Sequence, residues 1–415
     1  MKKRKLSKKI ECMVLVLFIF CLSQLVAAPC GDVNSDDSIN IVDALLIAQY
    51  YVGIIPEVFD QNAADVNADE SINIVDALLI AQYYVGLIDE LPGCQIPGNN
   101  PNGLVGFATV NDWGQDGTTG GAGGLEVTPT TAQEFINYIK QDGPLIIKVV
   151  GEIVLPNDPG MYEVQSDKSI IGVGSNAKIT GGGLELGTHL WDQRNSLKDP
   201  PDNAAHNVII RNIWFDYSYC DNISIMIFSH HVWVDHCRFS NAPERIPEVI
   251  DGRGVDVKRG ANYITVSYCI WDSTVPEGGI VGVTGSGIEE QELGRQKVTF
   301  HHNWWNGVEQ PTPQIHHGQV HYFNNLWTDI GDYGIGVGSL AQVVSENGVV
   351  EGGGTYLDEK SSSGALKDTG TIGGASLNPD DVTLNLGAHY EYTLDPVDSV
   401  RADVLANAGP GKINL

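Results

Sequence analysis

The chain of 415 residues is short of positive charge, with 24 lysine and arginine residues against 52 aspartate and glutamate residues. Six of the cations and one of the acids stand within residues 1–28, so the remainder carries 18 cations against 51 acids, a net charge of −33. Such a chain repels polyanions, which excludes nucleic acid as a partner. Other anionic polymers require a bridging cation, and calcium is the first candidate.

Long apolar segments are also scarce. One apolar run, Met13 to Phe20, follows the cationic residues 2–9 and precedes Val26-Ala27-Ala28, the order of regions in a secretory signal. The run is shorter than the roughly 20 apolar residues that a membrane-spanning helix needs. We therefore expect residues 1–28 to be a signal peptide, the mature protein to be secreted and extracellular, and no later segment to span a membrane.

Cysteine is sparse, with seven in the chain, of which two belong to the predicted signal. Cys30 and Cys94 flank the first folded segment, where an exported protein can form a disulfide that clamps the two ends. The other three, Cys220, Cys237 and Cys269, are an odd number, so at least one is unpaired within the chain. Their spacing does not favour a metal site.

The sequence SINIVDALLIAQYYVG occurs twice, at residues 38–53 and 71–86. Each copy completes a twelve-residue loop with oxygen-bearing side chains at alternate positions. Calcium typically takes about six to eight oxygen ligands from such a loop, so we predict two calcium sites. The predicted ligands are Asp32, Asn34, Asp36, Ser38, Asn40 and Asp43 in the first loop, and Asp65, Asn67, Asp69, Ser71, Asn73 and Asp76 in the second.

Each loop is followed by a predicted helix, which starts at Ile41 or Ile74. Position 6 of the loops is Asp37 or Glu70, where an EF-hand has glycine. With these loops and helices, residues 30–94 resemble a type I dockerin, a calcium-folded module that attaches secreted enzymes to a cohesin-bearing scaffold protein. The resemblance implies such a scaffold as partner, with Ile41-Val42 and Ile74-Val75 at the interface, and a place at the cell surface or in a cellulosome-like complex. The alternative is a calcium brace without a partner.

A Pro/Gly/Asn-rich linker, residues 95–104, leads to a large domain at residues 105–415. Short apolar segments recur there, and their starts lie 24, 32, 34 and 22 residues apart. A repeat near 22 with insertions is typical of a parallel β-solenoid, in which each strand stacks on its counterpart one turn along. A β-sandwich is disfavoured because hairpin signals are few. The segments are 207–212, 231–236, 263–268, 297–303 and 319–325.

This domain resembles polysaccharide lyase family 1, the pectate and pectin lyases, over most of residues 105–350. The motifs that carry the resemblance are GTTGGAGG at 117–124, VWVDH at 232–236, VDVKRG at 255–260 and TFHHN at 299–303. The resemblance implies an all-β, right-handed parallel β-helix behind the small α-helical dockerin. It also implies cleavage of polygalacturonate (pectate) or a related uronan by β-elimination, in which Ca²⁺ on the uronate carboxylate stabilises the enolate-like intermediate.

The resemblance assigns the lyase calcium to Asp221, Asp251 and Asp256, of which Asp221 and Asp251 are each displaced by one residue. The family's cations do not appear at their expected positions. The expected lysine falls near Pro276 or Glu277, and the two expected arginines fall on Pro311 and His316.

His316 is the predicted base, because an unperturbed imidazole has a pKa near 6.5, and His317 is the second candidate. The predicted site is completed by Lys258 as a catalytic cation and by Arg259, Gln314 and Gln310 as substrate-binding residues. Because the family's cations are replaced, the alternatives are a non-catalytic or divergent β-helix that binds uronan and a different carbohydrase.

Overall fold

The computed structural model describes residues 31–413 apart from 35, 37, 57, 68–70, 86, 89–90, 92–102, 219, 242–252 and 286–287. The predicted signal peptide, Cys30, Cys94, Asp37, Asp69, Glu70 and Asp251 lie outside the described residues. The chain divides into two compact units, Met1–Ile96 and Pro97–Leu415, here called the loop unit and the β-helix unit. Within the described residues, no helix has the length and apolar character to cross a bilayer.

The loop unit contains two copies of one loop-helix motif. Helix α1 spans Ile41–Tyr51 and α2 spans Ile74–Tyr84, which confirms the predicted helix starts, and a 3-10 turn spans Gln61–Ala63. An asparagine caps each helix, since Asn40 Oδ1 accepts the Val42 N–H at 2.8 Å and the second copy repeats this contact. The helices bury the same side chains in a shared small core, namely Ala44, Ile47, Ala77 and Ile80.

The β-helix unit begins with an antiparallel pair, β1 (Asn111–Asp112) and β2 (Gln115–Asp116). Its other described strands are parallel and form three ladders. The first, here called the cleft ladder, contains β5 (Met161–Glu163), β7 (Gly183–Leu186), β10 (Ile223–Ile225), β13 (Val255–Val257), β16 (Ile280–Val281) and β19 (Gln314–Ile315). The second contains β3 (Leu125–Val127), β8 (His206–Arg211), β11 (His230–Asp235), β14 (Asn262–Ser267), β17 (Lys297–His301), β20 (Gln319–Phe323), β22 (Gln342–Glu346) and β24 (Ala365–Thr369).

The third ladder contains β9 (Trp214–Ser218), β12 (Arg238–Ser240), β15 (Ile270–Trp271) and β18 (Trp304–Asn306). Four long strands each take part in two ladders: β4 (Leu145–Val154), β6 (Lys168–Gly181), β21 (Leu326–Val337) and β23 (Val349–Glu359). The helices of this unit are α3 (Ala132–Lys140), α4 (Glu289–Glu292) and α5 (Val397–Asn407).

The five apolar segments of the sequence are β8, β11, β14, β17 and β20 of the second ladder. They stack in register through Val208, Val232, Ile264, Val298 and Val320. All five side chains are fully buried, because alternate residues of each strand point into the coil. The prediction of a parallel β-helix is therefore confirmed.

Aromatic side chains fill the interior along the same axis. Trp271, Trp305 and Trp327 stack on successive turns with ring centroids 5.0 Å apart, close to the spacing of paired strands. Helix α3 adds Phe135 and Ile139, both fully buried, to this core. Insertions between strands can then form loops outside the stack without disturbing it.

Candidate active site

The outward face of the cleft ladder brings several predicted site residues together. Asp256 of β13 and Gln314 of β19 lie in one row, joined by Ile280 of β16, whose N–H donates to Asp256 Oδ1 at 3.0 Å. Two residues further along, Lys258 and His316 point the same way because side chains alternate along a strand. Paired strands lie about 4.8 Å apart, so two strand spacings separate Lys258 from His316 by about 10 Å.

A cleft of about 420 Å³ opens on this face. Gln310, Gln314 and His316, three of the predicted residues, line it. Arg253 and Glu277 line it as well, although the sequence reasoning did not assign them a role. The volume lies in the range of about 300–1,000 Å³ that is usual for small-molecule sites. The remaining lining residues are Ile280, Gly282, Val283, Thr284, Pro311 and Tyr333.

Asp221 and Asp256, here called the acid pair, are almost inaccessible, with exposed fractions of 4% and 0%. Lys258 Nζ contacts both, at 2.8 Å from Asp256 Oδ2 and 3.3 Å from Asp221 Oδ2. Arg253 Nη1 approaches Asp256 Oδ2 at 3.6 Å. Two buried carboxylates are thus matched by two cationic side chains, as the cost of burying an unpaired charge requires.

The pKa values follow this arrangement. Burial, and then the neighbouring charge of Asp256, raises the pKa of Asp221 to about 7, although Lys258 and Arg253 hold it down. Burial lowers the pKa of Lys258, but the charges of Asp256 and Asp221 outweigh it and hold the pKa above its usual value. Lys258 is therefore an ammonium ion throughout the physiological range.

Arg253 joins the acid pair to the cleft. Its Nε pairs with the carboxylate of Glu277, which belongs to the next turn of the coil. The Arg253 side chain is 22% exposed and that of Glu277 is 35% exposed. Burial lowers the pKa of Arg253, but Asp256 and Glu277 outweigh it and raise the pKa above its usual value. Arg253 supplies a permanent positive charge beside the cleft.

These contacts do not fit the calcium ion that the sequence predicts at Asp221, Asp251 and Asp256. Both Oδ2 atoms of the acid pair contact an ammonium, and Asp256 Oδ1 accepts a backbone N–H. A calcium ion at the acid pair would have to displace Lys258. Within the described part of the β-helix unit, no three His, Cys, Asp or Glu side chains converge as a metal site.

His316 lies in the cleft with both ring nitrogens engaged. The Ser339 N–H lies 3.2 Å from Nδ1, and the Gln314 amide lies 2.6 Å from Nε2. The amide presents its nitrogen to the ring, since its oxygen accepts from the Tyr333 hydroxyl at 3.3 Å, so both ring nitrogens face N–H groups. Burial, and then the charge of His317, lowers the pKa of His316. The ring is therefore neutral at neutral pH, and Nε2 can act as a base only when the Gln314 amide moves away.

His317 and Arg259 lie elsewhere. His317 is 2% exposed, and its Nδ1 lies 3.2 Å from Glu292 Oε2. Glu292 also accepts the backbone N–H groups of Arg259 and Val283, so this cluster fixes two loops. The Arg259 guanidinium points to Asn195 Oδ1 at 3.2 Å. Neither His317 nor Arg259 lines the cleft.

The loop unit buries aspartates without comparable partners. Asp43 and Asp76 are fully buried, and each accepts two backbone N–H groups; for Asp43 they come from Val33 at 3.0 Å and Asn40 at 2.8 Å. Burial raises the pKa of Asp43. Residues 29–96 contain twelve acidic residues and no Lys, Arg or His. This donor set fits a divalent cation, because no side-chain cation of this segment can neutralise it.

The predicted ligands of the first loop that the structure describes are joined by hydrogen bonds within one turn. The Asp36 N–H lies 3.1 Å from Asp32 Oδ1 and 3.1 Å from Asn34 Oδ1, and the Ser38 N–H donates to Asp36 Oδ1 at 3.0 Å. In the second loop, Asn73 Nδ2 donates to the Ser71 carbonyl at 3.0 Å, as Asn40 does to Ser38 at 3.2 Å. Within the described loop residues, no three His, Cys, Asp or Glu side chains converge as a metal site.

An apolar groove of about 570 Å³ crosses the loop unit. Leu45 and Leu78, equivalent residues of the two copies, are 56% and 55% exposed along it. The groove therefore has approximate two-fold symmetry and includes the residues that the dockerin resemblance places at the cohesin interface. Its lining residues are Ile41, Val42, Ala44, Leu45, Ile74, Val75, Ala77 and Leu78.

A parallel β-helix with buried acids and a charged cleft on its outward face is the architecture of polysaccharide-cleaving β-helix enzymes. The pectate lyase family model matches residues 103–413, and the type I dockerin model matches residues 30–84. The chain therefore belongs to the pectate lyase family and carries a type I dockerin domain, which confirms both resemblances. It is a pectate lyase-like enzyme.

Relatives cover most of the chain. A pectate trisaccharide-lyase of Thermotoga sp. (strain RQ2) is 33% identical over 363 residues, covering 74% of this chain and 89% of that protein. One of Bacillus licheniformis is 31% identical over 324 residues, covering 75% and 87%.

Solved structures share the fold. A mutant Bacillus subtilis pectate lyase superimposes with a TM-score of 0.60 at 22% identity, covering 74% of this chain and 97% of that one. A pectate lyase of Bacillus sp. N165 in complex with trigalacturonate gives 0.57 at 26% identity, covering 75% and 100%.

Proposed function

We propose that the β-helix unit cleaves polygalacturonate, or a closely related uronan, by β-elimination. The observation that carries this proposal is the cleft on the cleft ladder, where Arg253, Gln314 and His316 converge. Relatives named as pectate trisaccharide-lyases and a neighbour bound to trigalacturonate support a galacturonate oligomer as the substrate. Backbone and polar side chains of the cleft then orient the sugar hydroxyls.

The reaction requires a base at the C5 proton of the uronate. The C5–H bonding pair becomes the C4–C5 double bond, the C4–O4 bond breaks, and O4 leaves with a proton from water. His316 is the base, because burial keeps its imidazole neutral at neutral pH. Substrate binding draws the Gln314 amide from the ring to the sugar, and the lone pair of Nε2 then takes the C5 proton.

The reaction also requires positive charge at the uronate carboxylate, because a free carboxylate is a poor electron sink. The sequence predicts a calcium ion at Asp221, Asp251 and Asp256, which when bound would supply this charge. The side chains of Arg253 and Lys258 are the second source, and their contacts with the acid pair favour it.

The loop unit attaches the enzyme to its partner. Residues 30–94 fold round two calcium ions held by the predicted loop ligands and bind a cohesin-bearing scaffold protein through the apolar groove. Residues 1–28 direct secretion, residues 95–104 link the dockerin to the β-helix domain at 105–415, and the enzyme works outside the cell in a cellulosome-like complex. The absence of basic residues from 29–96 and the exposed Leu45 and Leu78 support this proposal.

Ultraviolet absorbance tests the lyase, because β-elimination leaves a conjugated unsaturated uronate. The full-length mature protein is incubated with polygalacturonate, methyl-esterified pectin and other uronans at several pH values. We expect absorbance to rise with polygalacturonate and unsaturated trisaccharides to accumulate. Binding to polygalacturonate without any rise in absorbance would instead identify a uronan-binding β-helix.

A further inference from the structure

We propose that the β-helix unit carries its own cations where the sequence predicts calcium: Lys258 neutralises the acid pair, and Arg253 binds the carboxylate of the uronate. The identity of the ligand rests on the proposed β-elimination, whereas the role of Lys258 concerns the acid pair alone. The lyase site then needs no calcium of its own.

Lys258 takes the position between the two carboxylates of the acid pair. Its Nζ is within 3.3 Å of an oxygen of each aspartate, and its side chain is only 19% exposed. A calcium ion bound by the same two oxygens would lie at contact distance from this ammonium. Like charges at that separation, away from water, repel strongly. The acid pair therefore holds either Lys258 or calcium, and the contacts assign it to Lys258.

Arg253 carries positive charge from the acid pair into the cleft. Asp256 anchors it from the buried side, and Glu277 contacts it from the cleft side. A guanidinium is planar and matches a carboxylate with parallel N–H donors. The carboxylate of Glu277 shows that this position accepts such a group, and a uronate carboxylate is the same chemical group.

The exchange of Glu277 for substrate keeps one carboxylate on the guanidinium of Arg253. Before binding, the carboxylates of the acid pair and Glu277 face the cations Lys258 and Arg253. When a uronate carboxylate replaces that of Glu277 on the guanidinium, the number of charges at the cations is unchanged.

The number of calcium ions bound per full-length mature protein tests the role of Lys258 without reference to turnover. We expect Asp256→Asn to bind as many calcium ions per chain as the wild type, since the acid pair holds none. We expect Lys258→Met to bind one more, since it leaves Asp221 and Asp256 without the ammonium that they share. A loss of one calcium ion in Asp256→Asn overturns the inference. Circular dichroism checks that each variant is folded, and Asp221→Asn replaces Asp256→Asn if the latter is not.

Trigalacturonate binding and turnover, measured in excess chelator, test the role of Arg253. We expect wild-type protein to bind and cleave without calcium, Arg253→Gln to lose about 100-fold in kcat/KM, and Arg253→Lys to lose less. Glu277→Gln should lower KM several-fold, because it removes the carboxylate that competes with the uronate for the guanidinium. Arg238→Gln, which breaks an Arg–Asp pair outside the cleft, is the matched control.

Turnover that chelator abolishes and added calcium restores overturns the inference, as does an unchanged kcat/KM in Arg253→Gln. If no condition gives turnover but Arg253→Gln weakens trigalacturonate binding and Arg238→Gln does not, the proposed reaction fails and the inference stands. If trigalacturonate does not bind at all, the role of Arg253 fails with the proposed function, and the calcium count still decides that of Lys258.

Discussion

Both units bury aspartates, and the pair Asp43 and Asp76 of the loop unit differs from the acid pair of the β-helix unit in what lies beside it. Asp43 and Asp76 belong to a segment without a single Lys, Arg or His, whereas Asp221 and Asp256 share the ammonium of Lys258. Since a buried carboxylate requires a counter-charge, we expect the first pair to take an ion from solution and the second to need none. The same residue type thus indicates a metal site in one unit and an internal ion pair in the other.

Removal of calcium should break the loop unit and leave the β-helix intact. At calcium concentrations about 1,000-fold above Kd, each site adds about 4 kcal/mol to stability. We expect calorimetry of the full-length protein to show two transitions, of which chelator shifts only the loop unit's, with the β-helix transition as internal control. A loop-unit transition indifferent to chelator would contradict the predicted calcium sites.

Replacement of Lys258 should make the stability of the β-helix unit depend on calcium, as we expect for the loop unit. Lys258→Met leaves the acid pair without its ammonium, and breaking a buried pair in this way costs about 3–5 kcal/mol. We expect a lower β-helix melting temperature in chelator and partial recovery with calcium. The control Lys148→Met removes an exposed pair with Glu126 and should cost at most about 1 kcal/mol. Equal losses in both variants would refute the role of Lys258.

Replacement of His316 tests whether the β-helix site also takes its base from the chain. His316→Gln should lower kcat about 100-fold with little change in KM, because the loss affects proton transfer rather than binding. Added imidazole should restore part of the rate, which a purely structural role would not allow. His389→Gln, outside the cleft, should keep the wild-type rate. Full turnover in His316→Gln would mean that another group is the base.

Acid should act in opposite directions on His230 of the β-helix unit and on Asp43 of the loop unit. Burial, and then the charge of His231, lowers the pKa of His230 to about 3. The unfolded chain binds a proton on this imidazole near pH 6.5 and the folded chain does not, so the stability that His230 contributes falls as pH drops from about 6.5 towards 3. For His230 alone the loss is about 1.4 kcal/mol at pH 5.5. Urea unfolding at pH 7.5 and 5.5 measures it, and His230→Gln should reduce the slope.

The calcium-free loop unit should respond the other way. Burial raises the folded-state pKa of Asp43 above its unfolded value, so the protonated form favours folding. Its stability in chelator should therefore increase as pH falls through the folded-state pKa. The same experiment, followed through helical circular dichroism, reports this unit. A loop unit that acid destabilises in chelator would show that Asp43 is not the residue that limits its folding.

The fold was predictable because its repeat is periodic, but the site depends on contacts that spacing does not reveal. The stacking of Val208, Val232 and Ile264 follows from apolar segments at repeat distances. By contrast, Arg253 meets Glu277 across 24 residues of chain, on neighbouring turns. Arg253 stands three residues before Asp256, and this spacing does not indicate that its side chain lines the cleft.

For His316 and His317 as well, the sequence alone does not show which side chain lies in the cleft. Adjacent residues of a strand point to opposite faces, so only one of His316 and His317 can reach the cleft. The sequence did not settle which one, because it does not show which residues of this strand point inward. In the structure Ile315 is fully buried, which fixes the direction of its neighbours. The structure puts His316 in the cleft and His317 against Glu292.

A crystal structure of the full-length protein grown with calcium and trigalacturonate, with the metal located by anomalous scattering, tests the central contrast most directly. The account predicts calcium in both loops of the loop unit, Lys258 between Asp221 and Asp256, and a uronate carboxylate on Arg253. A calcium ion between Asp221 and Asp256, with Lys258 displaced, would contradict it.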